Sequence, residues 1–163
     1  MGPDPRRTIA VVASKTWILT GSPENFAVTR ELGFRLVGAK ERRRRQALEM
    51  ETGDRIVFYL TRVMAFAGSA LVDGELFEDR APLWPGKPGK ADPYPWRLPT
   101  VPELVLDEPD WIPAASLVGQ LEHIGKWPPE HWKLAFQGQL RTVSDADAAL
   151  LVDRMRSAGA VRA

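Results

Sequence analysis

Tryptophan is the residue type of this sequence whose chemistry most clearly points to binding. Six of the 163 residues are tryptophan, at positions 17, 84, 96, 111, 127 and 132. A large aromatic ring often fills a hydrophobic core. An accessible ring can instead stack on a flat heterocycle, and stacking on a nucleobase contributes about 1–3 kcal/mol whatever the base. Each tryptophan therefore has two possible roles, in the core or in a binding site.

Three of the six lie in contexts typical of a binding site. Trp17 begins a predicted strand that leads into a tight turn, and Trp84 lies in a proline-rich loop, where core packing is not ensured. Trp96 follows Tyr94 and precedes Arg97 at the end of the same loop. A loop ring that faces a strand ring could enclose a planar group. We therefore expect these three tryptophans to surround one cavity.

Polar groups beside the first of these tryptophans could recognise the edge of such a planar group. Thr20, Ser22 and Asn25 follow Trp17 within eight positions. Their side chains, and the backbone amides at the start of the next helix, could form hydrogen bonds to a base edge. Stacking would then supply affinity, and these groups would supply specificity.

A run of basic residues could bind phosphate groups. It consists of Lys40, Arg42, Arg43, Arg44 and Arg45, with Glu41 in between. The net charge of the whole chain is only +1, so there is no overall basic field. Such a run is either a solvated helix face or a set of phosphate contacts. The sequence leaves both open.

Residues that carry catalysis or hold metals are scarce in this sequence. There is no cysteine, and the only histidines are His123 and His131. No serine lies in a nucleophile-elbow context, and no glycine-rich phosphate loop is present. The pairs Glu78-Asp79 and Asp107/Asp110 are acidic residues in predicted loops. We therefore expect no enzymatic activity, no cofactor and no metal site.

The stretch WILTGSPENF, residues 17–26, shows how the first aromatic is positioned. Trp17 to Thr20 favour a strand. Ser22 is a good helix N-cap, and Pro23 suits the first helical position, where its missing N–H costs nothing. The helix is predicted to run to residue 32, with Gly33 as its left-handed stop.

The remaining elements alternate between short strands and short helices. Strands are predicted at residues 34–38, 55–61, 66–72, 95–101, 104–106 and 140–143, and helices at 40–50, 115–124 and 145–157. Prolines place the strand at 95–101 at a sheet edge. The segment 77–94 contains four prolines and is predicted to be a functional loop.

These elements predict a single α+β domain with a mixed or antiparallel sheet. We place an N-terminal extension at residues 1–14, the domain at 15–157 and a C-terminal tail at 158–163. No apolar run approaches the ~20 residues needed to span a bilayer, and the run at 9–13 is too short for a secretory signal. We expect a cytoplasmic monomer that does not bind membranes.

Several stretches in this order resemble the EVE domain, a member of the PUA-like superfamily together with the YTH readers of modified bases. The stretches are WILTGSPENF, GFRLVGAKERRRR, GDRIVFYLT, FAGSALV, LW, DPYPWRLP and, at the end, LAFQGQL followed by VSDADAALL. The resemblance covers residues 15–156. It implies a PUA-like β pseudobarrel of five to seven strands flanked by short helices.

The resemblance also implies an aromatic-lined pocket that receives a flipped, modified base. At the second strand, where relatives often place a cage tryptophan, this sequence has Phe34. The residues at matching pocket positions are Trp17, Thr20, Ser22, Asn25, Phe34, Leu36, Val37, Trp84, Tyr94, Trp96 and Arg97. Trp17 has an alternative role in the core, Trp84 as a lid without a ligand, and Arg97 as an ion-pair partner of Asp54 or Glu103.

The resulting expectation is a non-catalytic module that binds DNA or RNA carrying a modified base, either a methylated or hydroxymethylated cytosine or a modified RNA base. Two alternatives stay open: a protein that binds or acts on a small molecule or nucleoside, and a protein-interaction module that uses Trp111 and Trp127. If Trp84 is a lid over a base, its replacement by alanine should weaken binding about tenfold or more without changing the melting temperature.

Overall fold

The computed structural model describes residues 14–86, 89 and 92–159, and the backbone of Val161–Arg162. Most of the predicted N-terminal extension lies outside the described residues, as do four positions of the proline-rich loop and part of the predicted tail. All structural statements below concern the described part of the chain.

A curled sheet forms the centre of the fold. Its strands are β1 (Thr16–Gly21), β2 (Leu36–Ala39), β3 (Arg55–Leu60), β4 (Ala65–Val72), β5 (Phe77–Glu78), β6 (Trp96–Val105), β7 (Ile112–Pro113), β8 (Leu140–Val143) and β9 (Val161–Arg162). The main order is β2-β6-β4-β3-β1-β8, with β5 and β9 on β6 and β7 on β4. β1 and β3 run parallel, whereas the neighbouring pairs are antiparallel.

Short helices flank this sheet. The α-helices are α1 (Pro23–Glu31), α2 (Arg44–Leu48) and α3 (Asp145–Ser157). Single turns of 3₁₀-helix lie at Glu41–Arg43, Glu108–Asp110, Ala114–Leu117 and Ile124–Lys126, and a longer one at Pro129–Phe136. In the described residues six strands are four residues or longer. The predicted α+β pseudobarrel of five to seven strands with short helices is thereby confirmed.

The predicted start and end of α1 are both confirmed. The Ser22 hydroxyl accepts a hydrogen bond from the backbone N–H of Asn25 at 3.1 Å, and Pro23 is the first helical residue. Gly33 ends the helix with φ +68°, and Phe34 after it also has a positive φ of +56°. Because both residues are left-handed, β2 begins at Leu36 rather than at the predicted residue 34.

The prediction of an edge strand at 95–101 is wrong. β6 is one ten-residue strand that lies between β2 and β4, and it includes Pro99 and Pro102. Each proline removes one ladder donor. The β4–β6 register shifts between Ser69 and Ala70, and Ala70 is the partner of Pro102. The sheet therefore accommodates this proline at an irregularity of the ladder.

The helix predicted at 115–124 is also wrong. The structure has only the turns Ala114–Leu117 and Ile124–Lys126 in this region. Gly119 between them has φ +89°, which an α-helix does not permit. The apolar residues Leu117, Leu121 and Ile124 still face the core, and each is no more than 3% exposed. The apolar spacing therefore predicted which residues are buried, but the left-handed conformation of Gly119 is incompatible with a continuous helix.

The core consists of two clusters of buried apolar residues. The first contains Ile18, Tyr59, Phe66 and Phe136. The second contains Trp17, whose indole N–H donates to Oδ2 of Asp54 at 3.0 Å. The buried Asp54 carboxylate also accepts the backbone N–H groups of Lys15 at 3.1 Å and Glu51 at 3.0 Å. This hydrogen bonding joins β1 to the turn before β3.

Replacement of Asp54 by alanine is expected to lower the free energy of unfolding by about 2–3 kcal/mol, because buried donors lose a charged acceptor. Asp54 is 3% exposed. Denaturant unfolding measures the effect, and Asp73→Ala is the control because Asp73 is exposed. Equal stability of the two variants would contradict this structural role of Asp54.

Candidate functional site

A cavity lies where β1 ends and α1 begins, and we name it the inner chamber. It is lined by Leu19, Thr20, Gly21, Ser22, Asn25, Phe26, Thr29, Val37, Gly38, Phe58, Leu60, Trp84, Tyr94 and Gln139. The volume of the cavity is about 380 Å³, including the space at its open mouth. Aromatic rings and aliphatic side chains form most of the wall. Hydroxyl and amide side chains complete the lining, and a mostly apolar wall with a few polar groups is typical of a ligand pocket.

Trp84 is held in the wall of the inner chamber by a buried hydrogen bond. Its side chain is 6% exposed, and its indole N–H donates to the Thr29 hydroxyl at 3.0 Å. Thr29 in turn donates to the backbone oxygen of Asn25 at 3.2 Å. The loop tryptophan is therefore anchored to α1 and does not swing freely over the cavity.

Tyr94 forms the neighbouring part of the wall. Its ring centroid lies 6.1 Å from that of Trp84 at an interplanar angle of 69°. The backbone of Tyr94 has φ +50°, and its N–H donates to Oδ1 of Asp92 at 2.9 Å. A non-glycine residue in this region is strained, and such strain is concentrated at functional sites.

Gly38 on β2 allows both rings to approach the sheet. A Cβ atom at this position would lie 2.7 Å from Cζ3 of Trp84 and 2.9 Å from the backbone oxygen of Tyr94. Any side chain at position 38 would therefore displace one ring and the backbone of the other residue.

Arg97 holds the loop that carries both rings. Its guanidinium donates to the backbone oxygen atoms of Ala81, of Pro93 at 3.2 Å and of Tyr94 at 3.3 Å. It also pairs with Asp79 at 3.3 Å and lies 5.2 Å from the Trp84 ring centroid. Arg97 is 1% exposed and does not line the chamber. It is a positioning residue, and its carboxylate partner is neither Asp54 nor Glu103.

Two polar groups of the chamber are free to bind a ligand. The Asn25 side-chain oxygen accepts the Gly86 N–H at 3.0 Å. Within the described part of the chain, its amide nitrogen has no protein partner, and neither does the Thr20 hydroxyl. Gln139 is engaged, since it donates to the backbone oxygen of Gly38 at 3.2 Å and accepts from the Lys40 N–H at 2.8 Å. A donor and a hydroxyl therefore remain at the edge of an aromatic wall.

The chamber opens into a wider space, which we name the vestibule. It has about 930 Å³ free, the adjoining solvent space included, and is lined by Thr20, Gly21, Ser22, Asn25, Lys40, Arg42, Thr61, Gly86, Tyr94, Phe136, Gln137, Gly138 and Gln139. Lys40 and Arg42 of the basic run are part of this lining. No carboxylate is among the described residues that line it. The entrance to the chamber is therefore cationic.

The rest of the basic run points to different places. The Arg44 guanidinium lies 4.9 Å from the ring centroid of Trp96, and Arg45 is exposed. Arg43 lies near Gly138, at the vestibule side. The run is therefore divided between the vestibule and a neighbouring surface.

Five residues predicted to line the cavity do not line it. They are Trp17, Phe34, Leu36, Trp96 and Arg97. Trp17 is bonded to Asp54 at the start of β1, whereas the chamber lies at the end of that strand. Phe34 packs between Phe26 and Phe58. The expected cage of three tryptophans is wrong, because only Trp84 of the three faces the chamber.

The other six predicted residues do line the chamber together. They are Thr20, Ser22, Asn25, Val37, Trp84 and Tyr94. The sequence analysis missed Phe26, Thr29, Gly38, Phe58 and Gln139. Asn25 and Thr29 are four positions apart on α1, so the helical period could have found Thr29. Gln139 comes from a distant turn, and no local pattern indicates it.

Titratable groups are absent from most of the chamber. Tyr94 is the one such residue among those described in its lining. His123 lies outside the chamber lining and is 4% exposed. Its Nε2 atom lies 2.7 Å from the backbone oxygen of Ala135, a member of the first core cluster. Burial lowers the pKa of His123. The described residues contain no group of three metal-ligating side chains, and none of their helices has the length and apolarity of a membrane span.

The fold is similar to that of solved YTH domains. A YTH domain of the Zygosaccharomyces rouxii MRB1 protein, solved in complex with N6-methyladenosine RNA, superposes with a TM-score of 0.64 at 12% identity, over 88% of this chain and 87% of that one. At this identity the likeness concerns the fold.

Two other solved structures show the same likeness. A Pseudomonas putida protein matches with a TM-score of 0.58 at 18% identity, over 86% of this chain and 99% of that one. A hypothetical protein from Leishmania major matches with 0.60 at 15% identity, over 90% and 98%. No protein-family model matches the sequence, and no curated protein matches it.

Proposed function

We propose that this chain is a non-catalytic reader of modified nucleobases, of the EVE type, that takes a flipped base from DNA or RNA into the inner chamber. The observation that carries the proposal is the combination in one cavity of the Trp84 and Tyr94 rings with the unpaired polar groups of Thr20 and Asn25. Stacking offsets the few kcal/mol that base extrusion costs.

The cationic vestibule supports a nucleic-acid ligand over a neutral small molecule. Lys40 and Arg42 lie at the entrance through which a base would pass, and phosphate groups flank every base. Two YTH domains of the same fold were solved with RNA or with N6-methyladenosine RNA. These structures support nucleic acid as the class of ligand. Because their identity to this chain is only 12%, they do not indicate which base it binds.

The lining of the chamber supports binding over catalysis. A general acid or base must lie within hydrogen-bond reach of the reacting group. Among the described residues of this lining there is no carboxylate, imidazole or amine side chain. The role of Trp111 and Trp127 in protein interaction has less support, because both are partly buried against the first core cluster.

A binding screen tests the proposal. Short single strands that carry one 5-methylcytosine, 5-hydroxymethylcytosine or N6-methyladenosine, and their unmodified counterparts, are titrated at two salt concentrations. We expect one modified strand to bind at least about tenfold more tightly than its unmodified counterpart. A tenfold difference in Kd corresponds to about 1.4 kcal/mol of binding free energy. Equal affinities for every pair would contradict a reader of these three bases, and turnover of a free nucleoside would contradict the non-catalytic role.

Replacement of Thr20 by valine is expected to weaken binding of the preferred modified strand about three- to tenfold, since one hydrogen bond to the ligand contributes about 0.5–1.5 kcal/mol. The hydroxyl has no partner among the described residues, so the melting temperature should not change. Thr142→Val is the matched control on β8, where Thr142 is exposed and outside the chamber. Unchanged affinity of Thr20→Val would place the base edge elsewhere.

A further inference from the structure

Three arginines from two parts of the chain gather at one side of the vestibule. Arg42 and Arg43 come from the turn before α2, and Arg141 comes from β8. Arg141 donates from Nε to the backbone oxygen of Gln137 at 2.8 Å, which fixes its direction beside the turn at residues 137–139. The sequence gives no indication that these arginines lie together, because nearly a hundred residues separate the two parts.

The turn at Gly138 lets two of these guanidinium groups lie close to its backbone. Gly138 has φ +86°, a conformation that favours glycine. A Cβ atom built on it would lie 3.1 Å from Nη2 of Arg43 and 3.6 Å from Nη2 of Arg141. Both side chains therefore converge on the space in front of this glycine, at the border of the vestibule.

The described residues include no acidic group that neutralises this cluster. Among the described residues, no carboxylate forms an ion pair with Arg42, Arg43 or Arg141. The Nε atom of Arg43 is shielded from solvent and has no hydrogen-bond partner there. Burial, together with the charges of Arg42 and Arg141, lowers the pKa of Arg43. Adjacent like charges with an unsatisfied donor are costly unless an anion joins them.

We propose that Arg43 and Arg141 form a clamp in front of Gly138 for a single phosphodiester group of the nucleic-acid ligand, next to the base held in the inner chamber. The proposal rests on the proposed function, and it adds Arg141 and the Gly138 turn to the contacts inferred from the basic run. The planar guanidinium fork suits two phosphate oxygens. Arg42 lines the vestibule and adds attraction without a fixed geometry.

The test combines variants of the protein with a neutral linkage in the ligand. Arg141→Gln and, separately, one methylphosphonate linkage beside the modified base are each expected to lower affinity about tenfold, as for a charge-assisted hydrogen bond. Combined, they should lower it little further. Arg141→Gln should also reduce the slope of log K against log salt by about 0.7, the value for one phosphate of a single strand.

Two further variants separate geometry from charge. Arg43→Lys keeps the charge but loses the fork, and we expect it to bind as weakly as Arg43→Gln. Arg35→Gln is the matched control, because Arg35 is exposed and lines neither chamber nor vestibule. Full affinity of Arg141→Gln would overturn the clamp. So would independent effects, in which the combined loss of affinity equals the product of the two separate losses wherever the methylphosphonate is placed.

Three additional probes distinguish this inference from the proposed function: the modified nucleoside without phosphate, an unmodified strand and inorganic phosphate. If the nucleoside binds and Arg141→Gln leaves strand affinity unchanged, the clamp is wrong and the base reader stands. If the unmodified strand binds as well as the modified one and depends on Arg141, the clamp stands and the base reader is wrong. If inorganic phosphate binds through Arg141 but no strand does, the cluster holds a free anion and the proposed clamp is wrong.

Discussion

Replacement of Trp84 by alanine is expected to reduce the affinity for the preferred modified strand about 10- to 100-fold, because it removes a stacking ring worth about 1–3 kcal/mol. It is also expected to lower the free energy of unfolding by about 3–4 kcal/mol, as for large-to-small changes at buried aromatic positions. Trp84 is 6% exposed and bonded to Thr29.

The second effect contradicts what the sequence alone predicted for this residue. A lid above the cavity would leave the melting temperature unchanged, whereas loss of a buried ring should lower it by about 10 °C in a domain of this size. Affinity must therefore be measured at a temperature where circular dichroism shows the variant to be folded. Stability and affinity are then two separate readouts of the same side chain.

Two control variants sharpen the result. Trp84→Phe keeps a smaller buried ring and loses the hydrogen bond to Thr29, so it should retain more of the stability than Trp84→Ala. Met155→Ala removes a buried side chain of the first core cluster, outside both the chamber and the vestibule. It should leave affinity unchanged in the folded protein. Retention of full affinity by folded Trp84→Ala would show that the base binds elsewhere.

Replacement of Gly38 by alanine is expected to lower affinity about 30-fold and stability by about 1–3 kcal/mol, the range for overpacked positions. The added Cβ would lie 2.7 Å from Trp84 and 2.9 Å from the backbone oxygen of Tyr94. Because that oxygen belongs to the backbone, the contact cannot be relieved by a side-chain rotation alone. Both walls of the chamber would have to move.

The matched control is Gly125→Ala, where an added Cβ would meet no atom within 4 Å. Titration of the modified strand and denaturant unfolding of both variants measure the two effects. A Gly38→Ala variant with unchanged affinity and stability would show that β2 and the loop are not held in this contact.

The sequence analysis predicted the helix ends well where a residue type strongly prefers one backbone conformation or one capping position. Ser22 and Pro23 define a helix start, and Gly33 defines its end, since hydrogen bonding and φ are decided within a few residues. The same holds for Ser144 at the start of α3, whose hydroxyl accepts from the Asp147 N–H at 3.2 Å. The α+β class followed from these elements, and the pseudobarrel was implied by the resemblance to the EVE domain.

The sequence analysis failed where a residue's role depends on partners far away in the chain. Trp17 and Trp84 are both tryptophans in candidate contexts, yet Trp17 faces a buried carboxylate and Trp84 faces the chamber. Arg97 looks like a ligand-binding residue beside aromatics, and the structure surrounds it with backbone carbonyl groups. Charge and ring type indicate what a side chain can bind, and only its neighbours decide which partner it has.

The sequence by itself determined that this chain is an α+β domain rich in aromatic residues and poor in catalytic ones, with a strand, a tight turn and a helix beside its first polar cluster. Only the tertiary structure decided which rings form a cavity and which arginines meet at its entrance. The physical reason is that secondary structure follows from hydrogen bonds and torsions close in sequence. A cavity is the space left between β1, α1, β2 and a distant loop, so it exists only when all of them are packed together.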